Sequence, residues 1–324
     1  MKNPPFEITD EIMTEVTQIA ELVGQVSSTE TLSANPILRR TNRIRSIYSS
    51  LAIEQNSLTL DQVTAVLSGK RVLAPPKDIK EVQNAYEIYE HLTRLNPYSI
   101  DDLLYAHGVM TKELLDESGV FRSKSVGVVN QEGEVLHFGT LPQYVPTAVQ
   151  NLLEWTKEST LPMLIKSCVF HYEFELIHPF ADGNGRVGRL WQTLLLAQWN
   201  PLFSWLPIES LIHDHQEDYY IAINESNAAG ESTLFLSFML NAIKDALEEI
   251  LQSTSGRKKE DTRWLTIYSY LQTNEFITNA VVRDLLSVSS ATATRILSAL
   301  CEEEKLTKIH LGRSWAYTLK QLVR

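Results

Sequence analysis

The sequence predicts a mainly α-helical protein with one β-hairpin near its middle and a small C-terminal domain that ends in a second hairpin. Three patterns indicate this. Apolar residues recur at helical spacing through the first 115 residues, as in Ile12, Ile19 and Val23. Valines cluster within residues 121–140 around a turn that contains Gly133, which is typical of a hairpin. A short charged stretch, residues 253–262, separates the C-terminal segment and predicts a linker.

The predicted helices follow from apolar periodicity and from capping residues. Thr9 or Asp10 is expected to cap the first helix, Ser99 a later one, and Ser289 or Ser290 the last one. In chain order the helices are expected at 10–26, 38–54, 61–67, 82–95, 100–115, 145–155, 162–177, 186–199, from 217 through 227, 233–251, 264–271, 279–286 and from 290. Residues 169–177 alternate like a strand, so their assignment as helix conflicts with the local pattern.

Composition places the chain among ordinary globular proteins. Its 324 residues are 44% hydrophobic and 21% charged, enough for a large core and two or three domains. The net charge of −11 argues against a general surface for polyanions. Cys168 and Cys301 lie far apart, which predicts no structural disulfide and fits a reducing cytoplasm. We expect a cytoplasmic protein without a signal peptide or membrane span.

One stretch combines groups that a structural core does not require: His178-Pro-Phe-Ala-Asp-Gly-Asn-Gly-Arg-Val-Gly-Arg189. Gly183 and Gly185 lack Cβ atoms and precede a predicted helix, where free backbone N–H groups attract anions. Arg186 and Arg189 add donors that suit phosphate oxygens.

The same stretch carries a carboxylate and an imidazole. Asp182 is a hard oxygen ligand for Mg²⁺, an ion that is usually held by one or two carboxylates together with substrate phosphates. His178 can take up a proton near neutral pH. Together these residues predict a nucleotide-phosphate site with a general base beside it.

Two other interpretations of this stretch are weaker. Gly183-x-Gly185-x-x-Gly188 matches the dinucleotide-binding fingerprint by letter, but that turn needs a strand that runs straight into the glycines. A glycine-rich entry to a helix with solvated arginines explains the glycines, but it does not explain the neighbouring His, Asp and Asn.

The stretch resembles the signature of the Fic family, HxFx(D/E)GNGRxxR, at every fixed position. The resemblance implies a Fic-type helical bundle with a small β-hairpin flap, and transfer of AMP from ATP to a hydroxyl side chain of a target protein. It implies that His178 is the base for the incoming hydroxyl and that Asp182 binds Mg²⁺. It also implies a nucleotide-binding segment made of Asp182, Gly183, Asn184, Gly185, Arg186, Val187, Gly188 and Arg189, with Gly183, Asn184 and Gly185 at the α-phosphate and Arg189 at the γ-phosphate. The resemblance also decides the assignment of residues 162–177 as helix.

A second segment resembles the family's inhibitory motif, (S/T)xxxE(G/N). Ser50 and Glu54 have the right spacing and Asn56 fits the longer form, whereas Gln55 stands where the family has Gly or Asn. The resemblance implies that Glu54 pairs with Arg189 and occupies the place of the ATP γ-phosphate. The alternative is an exposed Glu at a helix C-terminus, which the helix dipole disfavours unless the residue is paired.

Two further regions resemble parts of the family's site. Gly119-x-x-Arg122 and the following hairpin resemble the flap, which implies that Val126, Gly127, Val128 and Val129 border the target and the nucleotide. A small structural hairpin is the alternative. Tyr219, Tyr220 and Asn227 resemble positions that line the adenine and ribose pocket, and a pair of core tyrosines is the alternative. We interpret His171 as a structural residue, packed or hydrogen-bonded near the site.

The sequence divides into residues 1–100 with the inhibitory helix, a catalytic core at 101–252, the linker at 253–262 and a domain at 263–324. The last domain resembles a winged helix-turn-helix. Contact with DNA, contact with protein and a purely structural role all stay open, because Arg295 is followed by an acidic run, Glu302 to Glu304.

The sequence therefore predicts a Mg·ATP-dependent protein adenylyltransferase restrained by its own Glu54. Two alternatives stay open: a Fic enzyme that uses another phosphate-containing donor or removes AMP, and a nucleotide-sensing DNA-binding regulator. Pairing of the helical surfaces into a homodimer is also open.

Overall fold

A computed structural model describes residues 3–28, 36–129, 135–271, 274–311 and 314–320 of the chain. Within these ranges the fold is mainly helical, as predicted. The longer helices are α1 (Asp10–Ser28), α2 (Pro36–Ile53), α3 (Leu60–Leu67), α4 (Pro76–Glu90), α5 (Ile100–Met110), α6 (Val145–Glu158), α7 (Met163–Ile177), α8 (Asn184–Trp199), α9 (Ile208–Asp214), α10 (Gln216–Ala229), α11 (Thr233–Leu271), α12 (Asn279–Leu286) and α13 (Ser290–Glu302). Short 3₁₀ helices lie at Leu92–Arg94, Pro142–Tyr144 and Pro201–Trp205.

Several helix boundaries differ from the expected ones for local reasons. Helix α4 begins at Pro76, six residues before the apolar pattern suggested, because proline at a first helical position needs no hydrogen-bonded N–H. Helix α5 begins after the predicted cap Ser99, which accepts from the N–H of Asp102, but it ends at Met110 rather than near residue 115. Thr59 and Gln62 form a capping box that starts α3.

Helices α7 and α8 pack against each other at the centre of the larger core. Helix α7 is buried on nearly every side, which includes Phe170 and Phe174. A helix that is apolar all round has no clear 3.6-residue period. The strand-like alternation of residues 169–177 was therefore misleading, and the assignment as helix is confirmed.

The predicted central hairpin has two short antiparallel strands, β1 (Gly127–Val129) and β2 (Val135–Phe138). Gly127 pairs with Phe138 and Val129 with Val135, with an irregularity in the register between Val128 and Val129. The predicted turn at Gly133 lies outside the described residues. A second hairpin pairs β3 (Leu306–Leu311) with β4 (Ser314–Leu319), and Gly312 of its turn lies outside the described residues too.

The chain divides into two compact units, Met1–Leu251 and Gln252–Arg324. Residues 253–262, predicted as a linker, are helical and belong to α11. The linker was predicted because these residues are charged or small. Arg, Lys and Glu are nevertheless good helix formers, and the stretch has only one glycine. The second unit has its own apolar cluster around Ile267, Val282 and Leu297. No described helix is both long enough and apolar enough to cross a bilayer.

Candidate active site

His178 sits where α7 ends and the loop toward α8 begins. Its backbone is left-handed, with φ 51° and ψ 63°, and its N–H donates to the carbonyl of Phe174 at 2.9 Å. Helices often end in this conformation, but the residue that adopts it is usually glycine. The imidazole is 22% exposed, so it is reachable from solvent while its backbone is fixed.

Arg122 fixes this loop against the base of the hairpin. Its Nε donates to the carbonyl of His178 at 2.6 Å, and its Nη1 donates to the carbonyl of Lys124 at 2.8 Å. Its Nη2 donates to the carbonyl of Thr140, and its own N–H donates to the carbonyl of Pro179 at 3.0 Å. The planar fork of arginine can satisfy several carbonyls at once. Arg122 is therefore a buried clamp between the loop and the hairpin.

His107, which sequence reasoning missed, holds the middle of the loop. Its ring stacks on Phe180 with centroids 3.8 Å apart and planes 1° from parallel. Its Nδ1 accepts from the N–H of Gly119 at 3.0 Å, so its Nε2 carries the proton and donates to the carbonyl of Asp182 at 3.0 Å. Burial lowers the pKa of His107 to about 4, which keeps the ring neutral. No motif surrounds this residue, so only the fold could identify it.

The loop enters α8 through Gly183, whose φ of 85° favours glycine. Helix α8 begins at Asn184, two residues before the predicted start. The Asn184 carboxamide accepts from the N–H of Phe180 and donates to its carbonyl, both at 2.9 Å. This side chain was expected at the α-phosphate, but here it closes the loop. Val187 was also expected at the nucleotide, yet it is fully buried in the core, because α8 turns that face toward its neighbours.

Asp182 and Arg186 form an ion pair one helical turn apart. Oδ1 of Asp182 accepts from Nη2 of Arg186 at 3.0 Å and from the N–H of Gly183 at 2.6 Å. The Asp182 side chain is 48% exposed, whereas Arg186 is buried. The exposed carboxylate can therefore accept a cation from solvent.

Glu81, which sequence reasoning also missed, ties Arg186 to the segment after α2. Its Oε1 accepts from Nη1 of Arg186 at 3.3 Å, and its Oε2 accepts from Nδ2 of Asn56 at 2.8 Å. Through these two contacts Glu81 joins helix α4 to the start of α8 and to the residues that follow α2.

Arg189 lies under the helix start and meets both residues of the second predicted motif. Its Nε donates to Oγ of Ser50 at 3.1 Å, and its Nη2 donates to the Ser50 carbonyl at 2.9 Å and to Oε1 of Glu54 at 2.7 Å. Burial alone would lower the pKa of Arg189, but the Glu54 carboxylate raises it above its ordinary value. The predicted contact between Glu54 and Arg189 is thus present in the structure.

Gly185 leaves room for that carboxylate. A Cβ at this position would overlap the Glu54 carboxyl group and would lie 3.0 Å from Nη1 of Arg189. The Glu54 carboxylate therefore lies directly against the backbone of the first turn of α8, in the zone where helix N–H groups attract anions.

The end of α2 explains the unusual Gln55. Its φ is 64°, in the left-handed region, while the Asn56 N–H donates back to the carbonyl of Leu51 at 3.1 Å. This hydrogen bond and this φ are typical of a Schellman helix end, whose left-handed position favours glycine. Gln55 therefore occupies a left-handed position that suits glycine, where its side chain causes strain.

The two tyrosines of α10 that were predicted to line a nucleotide pocket differ in exposure. Tyr219 is buried, and its hydroxyl donates to Nε2 of His171 at 3.2 Å, so it is a core residue. Its neighbour Tyr220 is 44% exposed, since adjacent helical residues face different directions. Oδ1 of Asn227 accepts from the hydroxyl of Tyr172 at 2.9 Å.

His171 is hydrogen-bonded at both ring nitrogens, as the structural interpretation expected. Its Nδ1 donates to Oε1 of Gln192 at 2.6 Å, and its Nε2 accepts from Tyr219. Burial lowers the pKa of His171 to about 3, so it is neutral and holds α7, α8 and α10 together.

The expected flap residues border the loop through backbone bonds. The carbonyl of Val126 accepts from the N–H of Gly139 at 3.2 Å, and the N–H of Thr140 donates to the carbonyl of Ile177. Gly127 begins β1, and the side chains of Val128 and Val129 lie outside the described residues. The base of the hairpin thus lies beside the residue that precedes His178.

Comparisons with known proteins agree with this geometry. The profile described as the Fic/DOC family matches residues 97–196. The chain is 29% identical to protein adenylyltransferase fic-1 of Caenorhabditis elegans over 236 residues, which cover 65% of this chain and 44% of that protein. It is 27% identical to protein adenylyltransferase Fic of Nematostella vectensis over 221 residues, 64% of this chain and 49% of that protein. It thus spans less than half the length of these curated relatives.

Solved structures extend the match to the whole chain. The crystal structure of a Fic family protein from Desulfovibrio desulfuricans G20 is 38% identical, with a TM-score of 0.78 and coverage of 100% of both chains. Fic-1 (aa134–508) from C. elegans shares the fold at a TM-score of 0.62 and 20% identity, with 76% of this chain and 74% of that chain covered. This chain belongs to the Fic family.

Proposed function

We propose that the protein is a Mg·ATP-dependent protein adenylyltransferase that its own Glu54 restrains. The observation that carries this proposal is the ion pair between Glu54 and Arg189 at the start of α8, in the same loop-and-helix unit as His178. Relatives named protein adenylyltransferase support the choice of reaction.

The triphosphate of ATP is the anion that this site would bind. The start of α8 offers free N–H groups, and the missing Cβ of Gly185 lets an anion come close to them. Arg186 and Arg189 are buried guanidiniums that now pair with Glu81 and Glu54. A phosphate oxygen can replace a carboxylate oxygen on arginine, because both accept the same pair of N–H donors.

Asp182 is the residue that would hold Mg²⁺. The part of the chain that the structure describes holds no group of three or more His, Cys, Asp or Glu suited to a metal. One exposed carboxylate is nonetheless enough protein ligand for Mg²⁺, since this ion often keeps several waters and takes its other ligands from substrate phosphates. When bound, the ion neutralises charge on the phosphates.

His178 is the general base in this proposal. In the proposed reaction the target hydroxyl loses its proton to the imidazole, and its oxygen forms a bond to the α-phosphorus of ATP. The bond between the α-phosphorus and the bridging oxygen breaks, which releases pyrophosphate. Such transfers depend mainly on positioning and on charge stabilisation. The clamp by Arg122 supplies the positioning, because it fixes the backbone of His178.

Glu54 would block this reaction by occupying the guanidinium of Arg189. A carboxylate 2.7 Å from Nη2 excludes a γ-phosphate from the same donor. Removal of Glu54 from the site, by helix movement or by mutation, would free Arg189 for ATP.

Incubation with α-labelled ATP and Mg²⁺ tests the proposal. We expect weak self-labelling of the wild type, stronger labelling of Glu54→Gly, and none when His178→Ala is added. If wild type and Glu54→Gly are both inert on themselves and on lysate proteins, the adenylyltransferase proposal fails. Release of AMP from a labelled protein, or label from a different donor, would instead favour the alternative Fic reactions.

For the second unit we propose a winged helix-turn-helix. Helices α12 and α13 pack against each other and the hairpin follows, with Ile277 bridged to Tyr317. DNA contact through residues 263–324, homodimer formation and a cytoplasmic location stay predictions.

A further inference from the structure

Glu175 lies in the last turn of α7 with its carboxyl group against the ring of His178. Oε2 of Glu175 is 4.0 Å from Nδ1 of His178, and the Glu175 side chain is only 14% exposed. Its Oε1 is buried and accepts no hydrogen bond from the residues that the structure describes. A buried carboxyl oxygen without a hydrogen bond is unfavourable for stability. The position of the other oxygen beside the His178 ring suggests a role for Glu175 in the site.

Gly188 makes space for this carboxyl group. A Cβ at position 188 would lie 2.8 Å from Oε1 of Glu175 and 3.2 Å from Cδ2 of His171. Any other residue there would displace the carboxyl group from its place. Gly188, expected at the nucleotide, thus faces α7 and preserves the contact between Glu175 and the catalytic loop.

The groups that surround Glu175 come from four elements. His171 is on the same helix, with Nε2 4.0 Å from Oε1, and it already accepts from Tyr219 on α10. Arg189 on α8 and Glu54 after α2 act on Glu175 through their charges. Burial raises the pKa of Glu175 to about 8, Arg189 opposes this shift, and Glu54 adds to it. Departure of Glu54 would therefore favour the ionised form.

We propose that Glu175 is a positioning residue for His178: its carboxylate attracts the Nδ1–H, so that Nε2 faces the incoming hydroxyl. The inference rests on the proposed function. In the transfer described above, the hydroxyl proton passes to Nε2, and Glu175 stabilises the imidazolium without taking the proton. A carboxylate beside a catalytic histidine acts in this way in the serine-protease triad.

The direct test is NMR titration of the histidine rings in the full-length protein, which has eight histidines. The variant is Glu175→Gln, and comparison with His178→Ala assigns the resonance. The matched control is Glu173→Gln. Glu173 is two residues earlier on α7, where a helical side chain points to another face, and burial raises its pKa to about 7 as well.

In the Glu54→Gly background, where Arg189 lowers the pKa of Glu175 and Glu54 no longer raises it, we expect Glu175→Gln to lower the titration midpoint of the His178 ring by at least about one pH unit, because a nearby anion favours the charged imidazole. The proton should also shift between the two ring nitrogens, and Glu173→Gln should change neither property. An unchanged midpoint and tautomer in Glu175→Gln would overturn the inference. If that variant does not fold, Glu175→Asp, which withdraws the carboxylate by one methylene, is judged by the same two outcomes.

A kinetic comparison separates this inference from the proposed function. In Glu54→Gly protein, Glu175→Gln should lower kcat at least about tenfold while KM for ATP changes little, since the loss concerns the base. The acid limb of the pH profile should move to lower pH. An inert Glu54→Gly parent would count against the adenylyltransferase function, while the NMR titration would still decide the role of Glu175.

Discussion

Replacing Glu54 by Gln keeps an amide oxygen near Arg189 but removes the charge. The Glu54 side chain is 33% exposed and Arg189 is 1% exposed, so the pair lies between the surface and interior limits. A charge-assisted hydrogen bond of this kind contributes about 1.5–3 kcal/mol. The variant should therefore bind a phosphate at Arg189 between about tenfold and a hundredfold more tightly than the wild type, since 1.4 kcal/mol corresponds to a factor of ten.

Two assays test this, one for the gain in ATP use and one for the loss of the ion pair between Glu54 and Arg189. Self-labelling with α-labelled ATP should rise in Glu54→Gln and rise further in Glu54→Gly. Thermal unfolding without nucleotide should occur at lower temperature in both, because a buried guanidinium loses its carboxylate. Glu54→Asp, which keeps the charge on a shorter side chain, is the control and should label less than Glu54→Gln. Labelling that is equal in all four proteins would refute the reasoning.

Three further predictions concern the frame of the site. Gln55→Gly should raise the free energy of unfolding by about 0.5–1 kcal/mol in urea titrations, because the left-handed backbone suits glycine; no gain over Gln55→Ala would contradict this. Arg122→Lys should lower the free energy of unfolding by about 2–3 kcal/mol, because one ammonium cannot serve the carbonyls that the guanidinium binds, whereas the exposed Arg94→Lys should change little. The pKa of His107 is lowered to about 4 in the folded protein. Between pH 6.5 and 4 the ring therefore takes up a proton in the unfolded chain but not in the folded one, so the free energy of unfolding falls as the pH falls. Between pH 6.5 and 4, His107→Gln should remove about 3 kcal/mol of this loss in the free energy of unfolding, at about 1.4 kcal/mol per pH unit. An unchanged dependence of unfolding free energy on pH would contradict the lowered pKa of His107.

The sequence located the loop and the segment of Ser50 and Glu54 that contacts it, because each is a contiguous motif. His178, Asp182 and Arg189 lie within twelve residues, and Ser50 and Glu54 have helical spacing. Their contact across the fold followed from the resemblance alone, and the structure has it at 2.7 Å.

The residues that were missed act from distant segments without any motif. His107 and Glu81 are single residues on helices whose periodicity indicates only packing. Asn184 and Tyr219, predicted at the nucleotide, form hydrogen bonds within the fold that the sequence could not show. A polar or aromatic residue beside a site can hold the site together instead of facing a ligand, and only side-chain direction separates these roles.

The C-terminal half of α11 shows the limit of composition as a guide. Residues 253–262 have the charge and small residues of a linker, but the same residues carry good helix propensity. Apolar periodicity could not decide between the two, because the stretch has no apolar face.

Glu54 pairs with Arg189, the residue that we propose for the γ-phosphate of ATP. Calorimetric titration of Mg·ATP into His178→Ala and into His178→Ala with Glu54→Gly measures this without turnover, and AMP, which lacks the γ-phosphate, is the control ligand. We predict that Glu54→Gly tightens ATP binding at least about tenfold and leaves AMP binding nearly unchanged. Equal affinities for ATP in the two proteins would contradict the account.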